Sequence, residues 1–115
     1  MIVRRLTIAI LALHLTGCAG VGPGDPALYQ GLAESDVELA SRLVQTTLET
    51  APDGTTRRWT NERTGHDGAI TPLRTYVSEG GYICREYREE LAVAGQAGRF
   101  YHTACRNDAA RWAWL

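Results

Sequence analysis

The chain has 115 residues, a length that sets a single domain as the expectation. All twelve basic residues are arginines, thirteen acids oppose them, and the net charge of −1 excludes both the basic field of a nucleic-acid binder and a strongly acidic tail. No internal repeat is visible, so a solenoid or a propeller is excluded as well.

In chain order, Arg4 and Arg5 come first, and residues 6–15 are then apolar apart from Thr7 and His14. Ten helical residues reach only about 15 Å, half the thickness of a bilayer core, too short for a membrane span. A charged head before a short apolar run reads as an export signal. The run closes on Leu15-Thr16-Gly17-Cys18, which resembles the lipobox of bacterial lipoproteins. That resemblance implies cleavage after residue 17, with acylation of Cys18 on its sulfur and its amino group. Several acyl chains, at about 0.8 kcal/mol per buried CH₂, anchor a protein to a membrane stably. Ala19 rather than Asp beside the cysteine implies the outer membrane, by analogy with enteric lipoproteins. The alternative is an ordinary cleaved signal with an incidental Cys18. Export puts Cys84 and Cys105 in an oxidising compartment, where a disulfide is expected.

Residues 18–34 contain Gly20, Gly22, Pro23, Gly24, Pro26 and Gly31 and are expected to form a tether, with room for a helical turn at residues 27–32. Ser35 and Glu38 match a capping box. Val37, Ala40, Val44, Thr47, Leu48 and Ala51 then recur with a helical period, while Asp36, Glu38, Arg42, Gln45 and Glu49 fall largely elsewhere. This predicts an amphipathic helix, stopped by Pro52 and Gly54. One arginine among several acids on its polar face argues against a membrane-surface helix.

From residue 55 the pattern changes to runs rich in Thr, Val, Ile and aromatics, at residues 55–60, 69–78, 82–93, 96–106 and 111–115. Short glycine-containing breaks between them imply an antiparallel meander of about five strands. With one helix ahead of it, the fold class expected at residues 35–115 is a two-layer α+β domain. A two-residue turn at Ala94-Gly95 sets Cys84 opposite Cys105 at disulfide distance. The same register gathers Ile83, Tyr87, Leu91, Val93, Phe100 and Ala104 on one face and sets Glu90 against Arg99 on the other. A three-residue turn with a bulge at Gly95 would shift that pairing by one, and a type I′ turn favours Asn or Gly where Ala94 stands. Metal-binding thiolates are the rival reading for these cysteines, but they lack further ligands at zinc spacing.

The series Trp59-x-Asn61-x-x-Thr64-Gly65-x-x-Gly68-x-Ile70-x-Pro72, then Thr75-Tyr76, Cys84-Arg85-Glu86-Tyr87, the segment from Tyr101 to Arg106, and Trp112 resembles the C-terminal domain of bacterial outer-membrane surface-antigen lipoproteins, typified by the rickettsial seventeen-kilodalton antigen. The resemblance covers about residues 36–115. It implies an outer-membrane location and a β-rich, disulfide-bearing domain, without catalysis. Many members carry a glycine zipper between lipid and domain. This chain lacks that repeat, so any role attached to the zipper does not carry over.

No catalytic residue, metal ligand or cofactor emerges from the motifs. His66 reads as a solvated turn residue and His102 as a cross-strand contact of Tyr87, neither with a second histidine at metal spacing. Glu86, Glu89 and Glu90 could be paired carboxylates, with Glu86 or Glu90 as the acid of a glycan-cleaving enzyme; Glu86 and Glu90 share a sheet face but sit among Arg85, Arg88 and Arg99, so surface ion pairing is the simpler account. Arginine–aromatic interleaving marks Trp59, Arg63, His66 and Trp114 as candidates for partner binding, against the plainer reading that Trp59 and Trp112 fill the core. The expectation is therefore a non-enzymatic lipoprotein, held to the membrane by its N-terminal lipid and contacting envelope polymer or protein. The alternative is a periplasmic binding module such as a lysozyme inhibitor.

Overall fold

The computed structural model describes residues 20–115, and the expected export signal and Cys18 lie outside them. A 3₁₀ helix at Pro26–Gly31 precedes helix α1 (Glu34–Thr50), and five strands follow: β1 (Arg57–Asn61), β2 (His66–Val77), β3 (Ile83–Val93), β4 (Gln96–Arg106) and β5 (Trp112–Trp114). Each strand pairs antiparallel with the next, in sequence order. Helix α1 covers one sheet face, giving the two-layer α+β domain that the patterning predicts. Among the described residues, no helix is long and apolar enough to cross a membrane.

The β3–β4 hairpin has the unshifted register. Ala94 (φ 50°) and Gly95 (φ 78°) both take the left-handed region that a type I′ turn requires. Cys84 faces Cys105 with Cα atoms 4.0 Å apart, and the two form a disulfide. Along β3 the residues alternate: Arg85, Tyr87, Glu89, Leu91 and Val93 are buried towards α1, whereas Glu86, Arg88 and Glu90 on the uncovered face are half-buried. One part of the core joins Leu28, Ala40, Trp59, Leu91 and Val93, and the other joins Leu48, Ile70, Tyr87, Ala104 and Trp112. Trp59 lies across Gly68, where a Cβ would run into the indole; this close approach is what the glycine permits.

Four details depart from the sequence expectation. The helix begins at Glu34 with Ala33 as N-cap, because the backbone N–H of Ala33 donates to Asp36 (2.8 Å). Asp36 thus supplies the reach-back expected of Glu38, and the Ser35 hydroxyl accepts instead from Asn61 (2.9 Å). Asp36, placed with the solvated residues, is fully buried. Ile83 remains 47% exposed, because it opens β3 beyond the point where α1 ends over Arg85.

Part of the stretch read as a tether lies on the sheet. Gly24 donates to the Arg99 carbonyl and Arg99 to that of Gly22, both at 2.9 Å, so this segment covers an edge of β4 that the three-residue β5 leaves unpaired. Leu28 of the 3₁₀ helix is buried against Gly98, where a Cβ would come within 2.8 Å of its side chain.

Candidate functional site

Polar side chains hold α1 to the sheet at both ends. At its start, the buried carboxylate of Asp36 accepts from Ala33 N (2.8 Å), Asn61 Nδ2 (2.8 Å), Thr64 Oγ1 (2.7 Å) and His66 Nδ1 (2.8 Å). Four bonds fill the accepting capacity of an ionised carboxylate. Burial pushes the Asp36 pKa up, but the bonds from His66, Thr64, Ala33 and Asn61 outweigh it and hold the group at about 2. The Asn61-x-x-Thr64-Gly65-His66 motif is therefore a cradle for this carboxylate. Thr64 Oγ1 also accepts from His66 N (3.1 Å), Asn61 Oδ1 from Arg63 N (3.1 Å), and Gly65, at φ 73°, closes the turn onto the Asn61 carbonyl. His66, expected as a solvated turn residue, is instead spent on Asp36, and its side chain is only 15% exposed.

At the other end, Arg85, buried on β3, donates to the Leu48 carbonyl (2.7 Å) and to Asp53 (2.8 Å). The hydrogen bond from Arg85, helped by Thr75, holds the Asp53 carboxyl below its usual range. An anion at the helix start and a cation at its end both oppose the helix dipole favourably. Gln45 clamps β5, its amide donating to the Trp112 carbonyl (2.7 Å) and accepting from the Trp112 N–H (2.9 Å). Glu49 accepts from Arg106 and from the Trp112 indole, and these bonds hold its carboxyl low.

Between these fastenings a groove of about 400 Å³ opens where α1, the 3₁₀ helix and β5 meet. Its walls are apolar, with Leu32, Val37, Val44 and Trp112 among them, and Glu89 lines it. Glu89, although charged, is 4% exposed, because strand alternation places it on the same face as Tyr87 and Leu91. Its Oε1 accepts from the Tyr29 hydroxyl and lies 3.0 Å from His102 Nε2, which is 2.9 Å from the same hydroxyl. Burial and the bond to Glu89 push the Tyr29 pKa up, so the phenol stays protonated. His102 makes the expected contact with Tyr87, rings 5.2 Å apart. Trp114 stacks on His102 (4.5 Å) and donates to the Tyr87 hydroxyl. Tyr87 is pushed up by burial against the lowering effect of that bond.

The partner-binding candidates are not brought together. Trp59 is 5% exposed and offers no surface; Arg63 is exposed in the β1–β2 turn and His66 is held by Asp36. Trp114, 59% exposed, lies on β5 at the opposite edge of the sheet. Glu86 and Glu90 form surface ion pairs, Glu86 with Arg74 (3.2 Å) and Glu90 with Arg88 (3.6 Å); Glu90 stands opposite Arg99 in the register, as expected, but its ion pair is with Arg88 on its own strand. Among the described residues, no cluster of three metal-ligating side chains occurs. The groove residues Tyr29 and Glu89 escaped the sequence reading, although the correct β3 register already placed Glu89 among the core residues.

These features define a small disulfide-bearing α+β domain whose β1–β2 turn clasps the helix. A family described as 17 kDa outer membrane surface antigen matches residues 46–113. The 17 kDa surface antigen of Rickettsia bellii is 38% identical over 82 residues, covering 71% of this chain and 52% of its own length. That of Rickettsia conorii gives the same figures, 38% over 82 residues with 71% and 52% covered. The antigen of Rickettsia australis is 40% identical over 76 residues, covering 66% of this chain and 49% of its own. The chain belongs to the 17 kDa outer membrane surface antigen family. It spans about half the length of these curated relatives. No solved structure gives a significant match.

Proposed function

We propose that this protein is a non-enzymatic surface antigen of the bacterial outer membrane, anchored through acyl chains on Cys18 and presenting its α+β domain outward. Membership of the surface-antigen family carries the reading. The Leu15-Thr16-Gly17-Cys18 sequence behind a charged and apolar leader supports the anchor, and the Cys84–Cys105 disulfide suits an exported domain. The buried polar groups Asp36 and Arg85 tie helix to sheet, which supports a structural rather than a catalytic use for them. The test is to express the full chain and its Cys18→Ser variant in a bacterial host with a clickable palmitate. The wild type incorporates the label, sediments with membranes and binds antibody on intact cells. The variant loses the label and is released from membranes. Equal membrane retention of the two, or antibody binding only after the outer membrane is permeabilised, overturns the reading.

A further inference from the structure

The sheet face that α1 leaves uncovered meets the start of the described chain at Val21, and we infer that this face lies on the phosphate headgroups of the membrane that holds the protein, with Arg58 and Arg99 as its contacts. The inference rests on the anchor at Cys18 and adds to it the side of the domain that meets the lipid. Two residues link Cys18 to Gly20, a reach of at most about 7 Å. Val21 then lines a small hollow with Arg58, Ala69, Glu90, Ala92 and Ala97, and strand alternation puts these five on the uncovered face. The acylated residue is thus tied to that face and not to the α1 layer.

Charge divides between the two layers in the same sense. The exposed side of α1 carries Glu34, Glu38 and Glu49 against Arg42, a set that an anionic surface repels. The uncovered sheet face carries Arg58, Arg74, Arg88 and Arg99 with Asp67, Glu86 and Glu90. Arg74 is paired with Glu86 and Arg88 with Glu90. Among the described residues Arg58 and Arg99 form no ion pair, and Arg99 Nε meets no acceptor. Both guanidiniums therefore keep donors for an outside anion, and a phosphate matches their planar fork. They stand in one row across the sheet, Arg58, Ala69, Glu90 and Arg99, three strand spacings or about 14 Å apart. Glu90 between them opposes convergence on one small anion, whereas separate phosphates of a lipid surface suit that spacing. Tyr101, 63% exposed, stands on the same face as Arg99, an amphipathic side chain of the kind that settles at headgroup level.

The test reconstitutes the acylated full chain, ¹³C-labelled at its alanine methyls, in nanodiscs containing phosphatidylglycerol and a lipid with a gadolinium chelate on its headgroup. Relaxation enhancement should be several-fold stronger at Ala69, Ala92 and Ala97 of the uncovered face than at Ala40 and Ala51 of the α1 layer. Arg58→Gln combined with Arg99→Gln should remove most of that contrast, with the buried Ala104 methyl reporting that the fold persists. Purely zwitterionic discs, or salt of about 1 M, should remove it too. Arg42→Gln, on the exposed side of α1, should leave it unchanged. Equal enhancement of both layers, a stronger effect on α1, or an undiminished contrast in the double variant overturns the inference. So does protection of the uncovered-face methyls from a soluble gadolinium chelate as well as from the lipid-borne one, because a second copy or another polymer then covers the face. A chain that carries no acyl groups overturns the anchor and this inference together; an acylated, disc-held chain without the contrast overturns this inference alone.

Discussion

Asp36 shows most directly how one side chain organises the domain. It is fully buried with each lone pair met by a donor, so replacement by Asn turns an acceptor-only group into one that presents its own donors to donors. The loss should be about 3 kcal/mol, the scale of hydrogen bonds to a buried charge, lowering Tm by roughly 10–20 °C in a domain of this size. The pH dependence has a definite sign. The folded pKa of about 2 lies below the ordinary 3.8, so the stabilisation is complete above about pH 4 and lost as the pH falls towards 2. In thermal melts from pH 6 to pH 2, the gap between wild type and Asp36→Asn should narrow below pH 4; a constant gap contradicts the clasp. Little of this was legible in the sequence. An acid beside Ser35 at the start of an amphipathic helix reads as a solvated residue, and its side-chain partners lie 25 to 30 positions away, beyond any helical periodicity.

The strands were more legible than the clasps, because at the element scale independent constraints coincide. In the β3–β4 hairpin, the turn length, the apolar alternation and the two cysteines all demand one register, and the hairpin adopts it. Turn chemistry is the one local disagreement: Ala94 sits at φ 50°, a conformation that costs a residue with a Cβ about 1–2 kcal/mol. Asn tolerates it better, so Ala94→Asn should stabilise the domain by about 1 kcal/mol, read as a higher denaturant midpoint at unchanged slope. A lower midpoint would show that the turn is not the source of strain. Helix α1 illustrates the limit of periodicity. Its apolar stripe predicts that it packs on the sheet, but its bounds and anchoring come from Asp36 at one end and Arg85 at the other. Arg85 is a charged residue on the covered face of the sheet, where alternation alone expects an apolar one.

At the scale of the whole molecule, the two sheet edges have different duties. The β1 side carries the clasp built from the Asn61–His66 turn, with Trp59 buried beside it. The β5 side carries exposed Trp114 and the groove at Glu89. The aromatic and basic residues that drew attention in the sequence were thus a mixture, since composition does not tell a buried tryptophan from an exposed one until strand order is known. The stretch before α1, read from its glycines and prolines as a tether, lies partly against β4, so only a short part of the chain separates the packed domain from Cys18. That geometry suits a domain held close to a membrane surface. The intact mass of the protein extracted from membranes without reductant tests the account most directly. It should equal that of a chain starting at Cys18, carrying acyl groups and lacking the two hydrogens of a Cys84–Cys105 bond. A mass corresponding to a chain starting at Met1, or to an unacylated amino terminus, contradicts it.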